Sequence, residues 1–556
     1  MQFIIKTGWL LLFIPFLSKA QSTYLPQGNK HQAFLDRLEI KLQKNPDLNV
    51  TTIKPFSRRV AVNAALEADS AGILNSTTDI YNLNSLLLNN KEWVDEDRPE
   101  FSSTKSIWNT FYESKGTLLE VDQPDFYLAL NPVVQLQLSN EPENNERVFL
   151  NTKGLTFHGL ISRKIGFSAY ITDNQERGPL FVQERIRQER AVPGAGFYKS
   201  FKRTAVDYFD ARGSVHFNVA KYLELQFGYD KVFVGNGYRS LLLSDFGNSY
   251  LFLRINTRIW KLNYQNIFAE LTPQYFRGGV DNLLDKKYAA IHHLSMNVTK
   301  WLNIGLFEAV SFGRKNHFDF SYMNPIIFLR VAEQQNGSFD NAIVGWDFKA
   351  NIARKAQLYG QLMLDEFLLR ELRAGNGWWG NKFGIQVGGK YIDLFKIRHL
   401  DVQAELNLVR PFSYSHLDTI GNYTHYNQPL AHPLGSNFIE AIGMVRYQPF
   451  PKWTGTVRVI SWKQGLDTAN GNTGVNIYKP NSTRSADFGF ALPSGLLSKG
   501  INAQFLVSYE LKENLFLEAA ALVRKLRVEK DISLNKNSSV LTLAVRWNMF
   551  RREYDY

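Results

Sequence analysis

The chain has 556 residues, with 64 Lys and Arg against 52 Asp and Glu, a formal charge of +12, and no cysteine. Without thiols there is no disulfide scaffold and no Cys-ligated metal, and a positive balance spread along the whole length, with no basic tail, argues against a nucleic-acid partner. Hydrophobic residues make up 44% and charged residues only 21%, while 40 Phe, 25 Tyr and 11 Trp give an aromatic content above the needs of a cytosolic enzyme.

Residues 1–20 read as a secretory signal peptide: Lys6, an apolar run from Gly8 to Leu17, then Ser18-Lys19-Ala20 with small residues suited to cleavage. The apolar run is too short to span a bilayer as a helix, and no later stretch is long enough.

Residues 21–120 read as a small helical module, expected in the periplasm. Three segments have helical period: His31 to Lys44, with Phe34, Leu35, Leu38 and Leu42 on one face; Ser57 to Ala71; and Asp79 to Trp93. Pro46, Pro55 and Gly72 interrupt them, and Ser57 and Asp79 are the expected N-caps.

From about Asp125 the period changes to two, and residues 121–556 read as one all-β domain. Leu251, Leu253 and Ile255 alternate with Phe252, Arg254 and Asn256. Leu358, Gly360 and Leu362 likewise face away from Gln357, Tyr359 and Gln361. Such strands carry one apolar and one polar face. Eighteen segments fit, starting near 125, 147, 163, 208, 222, 247, 261, 288, 302, 340, 355, 381, 398, 436, 453, 500, 514 and 539.

The connections alternate between short and long. The short ones contain Lys164, Lys221, Lys261, Lys300, Lys355, Lys396, Lys452 and Lys512, a hairpin repeat. Long loops gathered at one end describe an outer-membrane barrel, whose closure also removes the sheet edges that lipid does not tolerate. The fold class is therefore an all-β transmembrane barrel of about 18 antiparallel strands behind a helical module. Both termini are expected at the periplasmic rim and the long loops outside the cell. Strand parity turns Arg254, Arg258, Glu405, Glu440, Arg446, Arg458, Glu510, Glu518 and Arg546 inward. Charge of mixed sign suits a cross-linked lumen, with the helices helping to plug it, or a selective pore.

The segments Gly228 to Ser244 and Tyr423 to Asn437, set in this layout, resemble the Wzi-type capsule-assembly outer-membrane proteins, which have RemB-type relatives linked to gliding motility. The resemblance extends over nearly the whole mature chain. It implies a surface protein that holds capsular polysaccharide in a lectin-like manner, with outer-membrane lipid and the barrel-assembly machinery as its other partners.

The residues themselves offer glycan-binding candidates in the long loops: Lys231, Asn236, Tyr238, Arg239, Asp245, Trp378, Trp379, Tyr423, His425 and Tyr426. Aromatic faces stack on sugar rings, amide and carboxylate groups bind hydroxyls, and Lys231 and Arg239 attract an acidic polymer. The same side chains can equally pack loop against loop.

Catalytic signatures are missing. There is no Gly-x-Ser-x-Gly or His-Glu-x-x-His, and Gly388-Gly389-Lys390 is followed by Tyr391 where a phosphate loop requires Ser or Thr. Adjacent His292 and His293 face opposite sides of a strand. His425 and His432 lack a placed carboxylate, so no metal or other cofactor is expected. Glu333 and Asp340 are the carboxylates that a surface hydrolase would use. The leading reading is a non-enzymatic polysaccharide anchor; a motility or adhesion scaffold and a porin are the alternatives.

Overall fold

The computed structural model describes residues 22–556 apart from 95–97, 104–106, 109, 276–282, 327 and 470; the proposed signal peptide lies outside the described residues. Eighteen antiparallel strands close into one barrel. They are β1 (Phe126–Asn140), β2 (Val148–Ile161), β3 (Ile165–Arg177), β4 (Ala205–Ala220), β5 (Leu223–Asp230) and β6 (Tyr250–Ile259). Next come β7 (Leu262–Leu271), β8 (Lys287–Asn297), β9 (Leu302–Phe312), β10 (Asn341–Ile352), β11 (Ala356–Glu366) and β12 (Lys382–Tyr391). The last six are β13 (Leu400–Val409), β14 (Phe438–Phe450), β15 (Trp453–Leu466), β16 (Leu496–Lys512), β17 (Leu515–Val528) and β18 (Lys536–Trp547). Every start lies within a few residues of the position expected from the alternation.

Closure is made by β18 against β1, in register from Leu541 opposite Asn140 to Trp547 opposite Val134. Across this seam Leu136, Leu138, Leu541, Leu543 and Val545 point out and are exposed, whereas Gln135, Gln137, Ser139 and Arg546 point in and are buried. A polar lumen and an apolar exterior follow directly from the period of two.

The helical module docks into the short-turn end of the lumen. Its helices are α1 (Gln32–Leu42), α2 (Pro46–Asn49), α3 (Arg58–Ser70) and α4 (Thr77–Leu88). Phe34, Leu35, Leu38 and Leu42 of α1 pack against Ala61, Ala65, Leu83 and Leu87, the apolar face anticipated for that helix. The cap of α4 is Ser76, whose hydroxyl accepts from Asp79 N; Asp79 sits in the first turn, where a carboxylate complements the helix dipole. Ser57 precedes α3 but makes no side-chain cap bond.

Wall and module are joined by buried polar contacts. Arg37 bonds both Asp393 and Asp401, Lys30 pairs with Glu510 and Glu513, and Glu39 pairs with Lys349 at 2.5 Å with both side chains almost fully buried. All the strand charges assigned inward by parity find lumenal surroundings: Arg254 lies over the Tyr24 ring, Arg258 meets Asp47, and Glu518 binds Arg546 and Arg551.

The C-terminus lies away from its expected place at the rim. The chain does not stop at the short-turn rim after β18: residues 548–556 turn back into the lumen, where Tyr554, Asp555 and Tyr556 are buried. Charge drives this, because Arg551, Arg552 and Asp555 meet Glu518, Glu176 and Arg239 on the inner wall and its loop.

Candidate functional site

The ten loop residues with glycan-binding chemistry divide between the barrel interior and its long-loop rim. Lys231, Asn236, Tyr238, Arg239 and Asp245 belong to the β5–β6 connection, which folds inward. Its apolar residues Val232, Val234, Leu241, Leu242 and Leu243 join a lumenal core with Phe252, Ile267, Phe307 and Tyr414. Phe233–Val234 pairs antiparallel with Ile53–Lys54, so the loop meets the helical module inside the barrel.

At the bottom of this loop the backbone amides of Tyr238 and Arg239 donate to the Glu405 carboxylate at 2.6 and 3.1 Å. Gly237 permits that approach, since a Cβ there would stand 2.3 Å from Glu405 Oε2. The Arg239 guanidinium donates to Asp555 Oδ2 at 3.1 Å. Burial alone would raise the Asp555 carboxyl, but Arg239 and Arg458 outweigh it and hold the group at about 2. Lys231 Nζ donates to Gly194 O at 2.7 Å and to Asp245 O at 3.3 Å; burial pushes this amine down to about 7. Asn236 Nδ2 lies 3.5 Å from Thr52 Oγ1.

Tyr423 and His425 are buried in the β13–β14 connection. Tyr423 stacks on Tyr414 with ring centroids 6.0 Å apart. His425 sits between Thr272 N and Ser249 O, and burial lowers it to about 3. Ser244 N donates to Leu430 O at 2.8 Å, so the two segments that carried the family resemblance pack against each other.

Trp378, Trp379 and Tyr426 are half-buried. Trp378 and Trp379 lie on the β11–β12 connection, tilted at 56°, with Arg484 4.2 Å above the Trp379 ring. Phe490 N to Gly377 O and Gly489 N to Asn376 O, both 2.9 Å, zip this connection to the β15–β16 connection. Tyr426 is turned edge-on to Tyr275, 5.0 Å between centroids.

Module, inward loop and tail together enclose a lumenal chamber of about 620 Å³. Lys54, Lys390, Asp401, Gln403, Arg446 and Arg458 are among its lining residues. Parity had turned Arg446 inward. Among the described residues it has no hydrogen-bond or ion-pair partner, although Asp401 is its register neighbour. Lys54 was not foreseen, because its placement depends on the pairing with the inward loop.

The remaining chemistry-bearing residues have structural partners. Glu333 is buried against Arg330 and Asp340 against Arg314. His432 bonds Glu440 at 2.7 Å, and His293 bonds Asp347 at the same distance. Among the described residues no three His, Asp or Glu side chains gather as a metal site.

A closed cylinder of 18 antiparallel strands, apolar outside and polar within, is an outer-membrane β-barrel. Among solved structures it is similar to Wzi, an outer-membrane protein involved in group 1 capsule assembly in Escherichia coli and described as a carbohydrate-binding β-barrel. That likeness has 14% identity and a TM-score of 0.52, and covers 92% of this chain and 98% of Wzi. Weaker likenesses, each covering 76% of this chain with a TM-score of 0.42, are to OprD of Pseudomonas aeruginosa (12% identity, 94% of its chain) and OccAB4 of Acinetobacter baumannii (10%, 98%). At these identities the similarity is one of fold. No family model and no curated sequence matches the chain.

Proposed function

We propose that this barrel holds an exported capsular or extracellular polysaccharide at the cell surface, with the helical module in the periplasm and the long loops outside. The observation that carries this reading is the obstruction of the lumen by the protein's own chain. The module fills the short-turn end, the 231–249 loop the middle, and the C-terminal tail a third side, each tied by buried ion pairs. Such an interior suits a holder better than a conduit, and the fold is that of a carbohydrate-binding barrel over nearly its whole length.

Sugar contact is assigned to the rim. Trp378 and Trp379 are partly accessible on the ridge where two long connections meet, and Arg484 supplies a neighbouring cation. Tyr426 is the third accessible ring. Lys231, Asn236, Tyr238, Arg239, Tyr423 and His425 would then shape the support beneath, and Asp245 would face the interior.

Purified protein presented with the native exopolysaccharide of its host should retain it, and Trp378→Ala with Trp379→Ala should lower retention without unfolding the barrel. Loss of retention from the unaltered protein would favour a motility or adhesion scaffold. Large, stable conductance steps from the intact protein in planar bilayers would favour a porin.

A further inference from the structure

The β9–β10 connection, residues 313–340 apart from 327, folds down over the outside of the barrel. Tyr322, Leu329 and Ala332 from this flap cover Phe268, Tyr288, Ala290, Val310 and Phe312 on the outer faces of β7, β8 and β9. Its two ends are latched together: Arg314 bonds Asp319 at 3.0 Å and Asp340 at 2.8 Å, and Tyr322 donates to Asp340 at 2.5 Å.

Beneath the flap, outward-facing wall positions are polar. Glu308 accepts from Leu329 N at 3.0 Å and pairs with His292 at 2.9 Å, while Asn266 Nδ2 donates to Pro325 O at 3.4 Å. These side chains therefore satisfy backbone groups of an irregular segment that lipid could not satisfy. The opposite side of the flap carries open apolar side chains, Phe320 80% exposed, Ile326 88% and Phe328 70%, beside a half-exposed Arg330 that is paired with Glu333.

Strand length fixes the depth. An apolar band of about 25 Å takes roughly 9–11 residues of a tilted strand. β8 and β9 have 11 residues each, so their whole length is needed to cross it. Yet on β8 only the outer positions from Leu294 toward the short turn are open, because Tyr288, Ala290 and His292 lie under the flap.

We propose that the flap itself supplies the missing part of the lipid-facing surface, with Phe320, Ile326 and Phe328 embedded among the acyl chains of the adjacent leaflet. Three bulky apolar side chains within nine residues form a patch that water would penalise and that continues the wall's own apolar exterior, at Leu294, Leu306 and Trp346. The flap is then a membrane-inserted element, distinct from the long connections that occlude the lumen.

The absence of cysteine makes the test direct. The full-length protein carrying I326C or F328C, each with a nitroxide label, is reconstituted in phosphatidylcholine bilayers. Collision with oxygen, which concentrates in acyl chains, is compared with collision with a water-soluble nickel chelate. L541C on the open wall and K530C in an exposed connection are the lipid and water references. Both flap positions should match L541C, with oxygen favoured several-fold over nickel relative to K530C. A pattern matching K530C would overturn the proposal, as would protection from both reagents, which would mean that a second copy covers the flap. Only heat-modifiable, folded protein is scored, and F320C replaces either variant that fails to fold.

Discussion

Arg239 and Asp555 lie 316 residues apart in sequence, and their side chains meet in the middle of the barrel at 3.1 Å. The contact fastens the C-terminal tail to the inward loop, with Tyr238 and Arg458 hydrogen-bonded at its edge. Deleting residues 550–556 removes Asp555, Arg552 and Arg551, the tail's partners for Arg239, Glu176 and Glu518, and clears one side of the chamber. The truncated barrel should show discrete conductance steps in planar bilayers that the intact chain does not. Equal, quiet traces from both would mean that module and loop seal the lumen unaided.

The Glu39–Lys349 pair joins α1 to β10 where neither side chain sees water. Glu39→Leu leaves an uncompensated ammonium, at a cost of about 3–5 kcal/mol for a buried pair that has lost one partner. The module should become sensitive to protease while the barrel stays heat-modifiable. Glu39→Leu with Lys349→Met should restore much of the protection, because two apolar groups carry no desolvation penalty. An unchanged digestion pattern for the single variant would place little of the docking energy in this pair.

Neither contact follows from the sequence alone. Strand starts were legible because each strand repeats the same alternation, and parity alone turned Arg446 and Glu518 inward. The inward loop was not legible: Lys231, Tyr238 and Arg239 have the same composition whether they face water or a polar lumen. Arg551 and Asp555 gave no sign of re-entry either, since their partners are set by barrel closure. In the flap, nothing about Phe320, Ile326 and Phe328 in a long connection tells which way that connection folds, and alternation sets His292 and His293 on opposite faces without saying which is outward. Only the register of β7 to β9 shows that polar wall and apolar loop belong together.

Lys231 gives the loop a pH dependence with a definite sign. Burial, reinforced by Arg212, lowers the folded amine from 10.5 to about 7. Between those values the unfolded chain binds the proton and the folded chain releases it, so this residue's contribution to stability rises with pH. The heat-unfolding midpoint in detergent should climb from about pH 7 toward 10.5 by more in the natural protein than in Lys231→Met. Parallel profiles would show that the amine stays charged in the folded state.

Gly237 is the tightest point of the inward loop. Alanine there would drive its methyl to within 2.3 Å of Glu405 Oε2, against a carboxylate already held by two backbone amides, Asn407 and Tyr359. Neither the wall nor the loop can yield without breaking those bonds. Gly237→Ala should lower the heat-unfolding midpoint by several degrees, whereas Gly443→Ala, on β14 with open space around it and no left-handed backbone, should cost less. Equal effects would show that the loop has room to move away from Glu405.

Tyr423 and Trp378 separate support from contact in the proposed polysaccharide site. The Tyr423 hydroxyl is buried without a hydrogen-bond partner among the described residues, so Tyr423→Phe removes an unsatisfied polar atom and should leave both stability and retention unchanged or slightly improved. Tyr423→Ala empties space beside Tyr414 in the lumenal core and should cost about 3–5 kcal/mol, lowering retention only together with the folded fraction. Trp378→Ala removes a partly open ring from the rim and should lower retention per folded molecule. The three variants are compared by polysaccharide capture normalised to heat-modifiable protein. If Tyr423→Phe loses capture while Trp378→Ala keeps it, the binding surface lies in the buried loop, and the rim assignment fails.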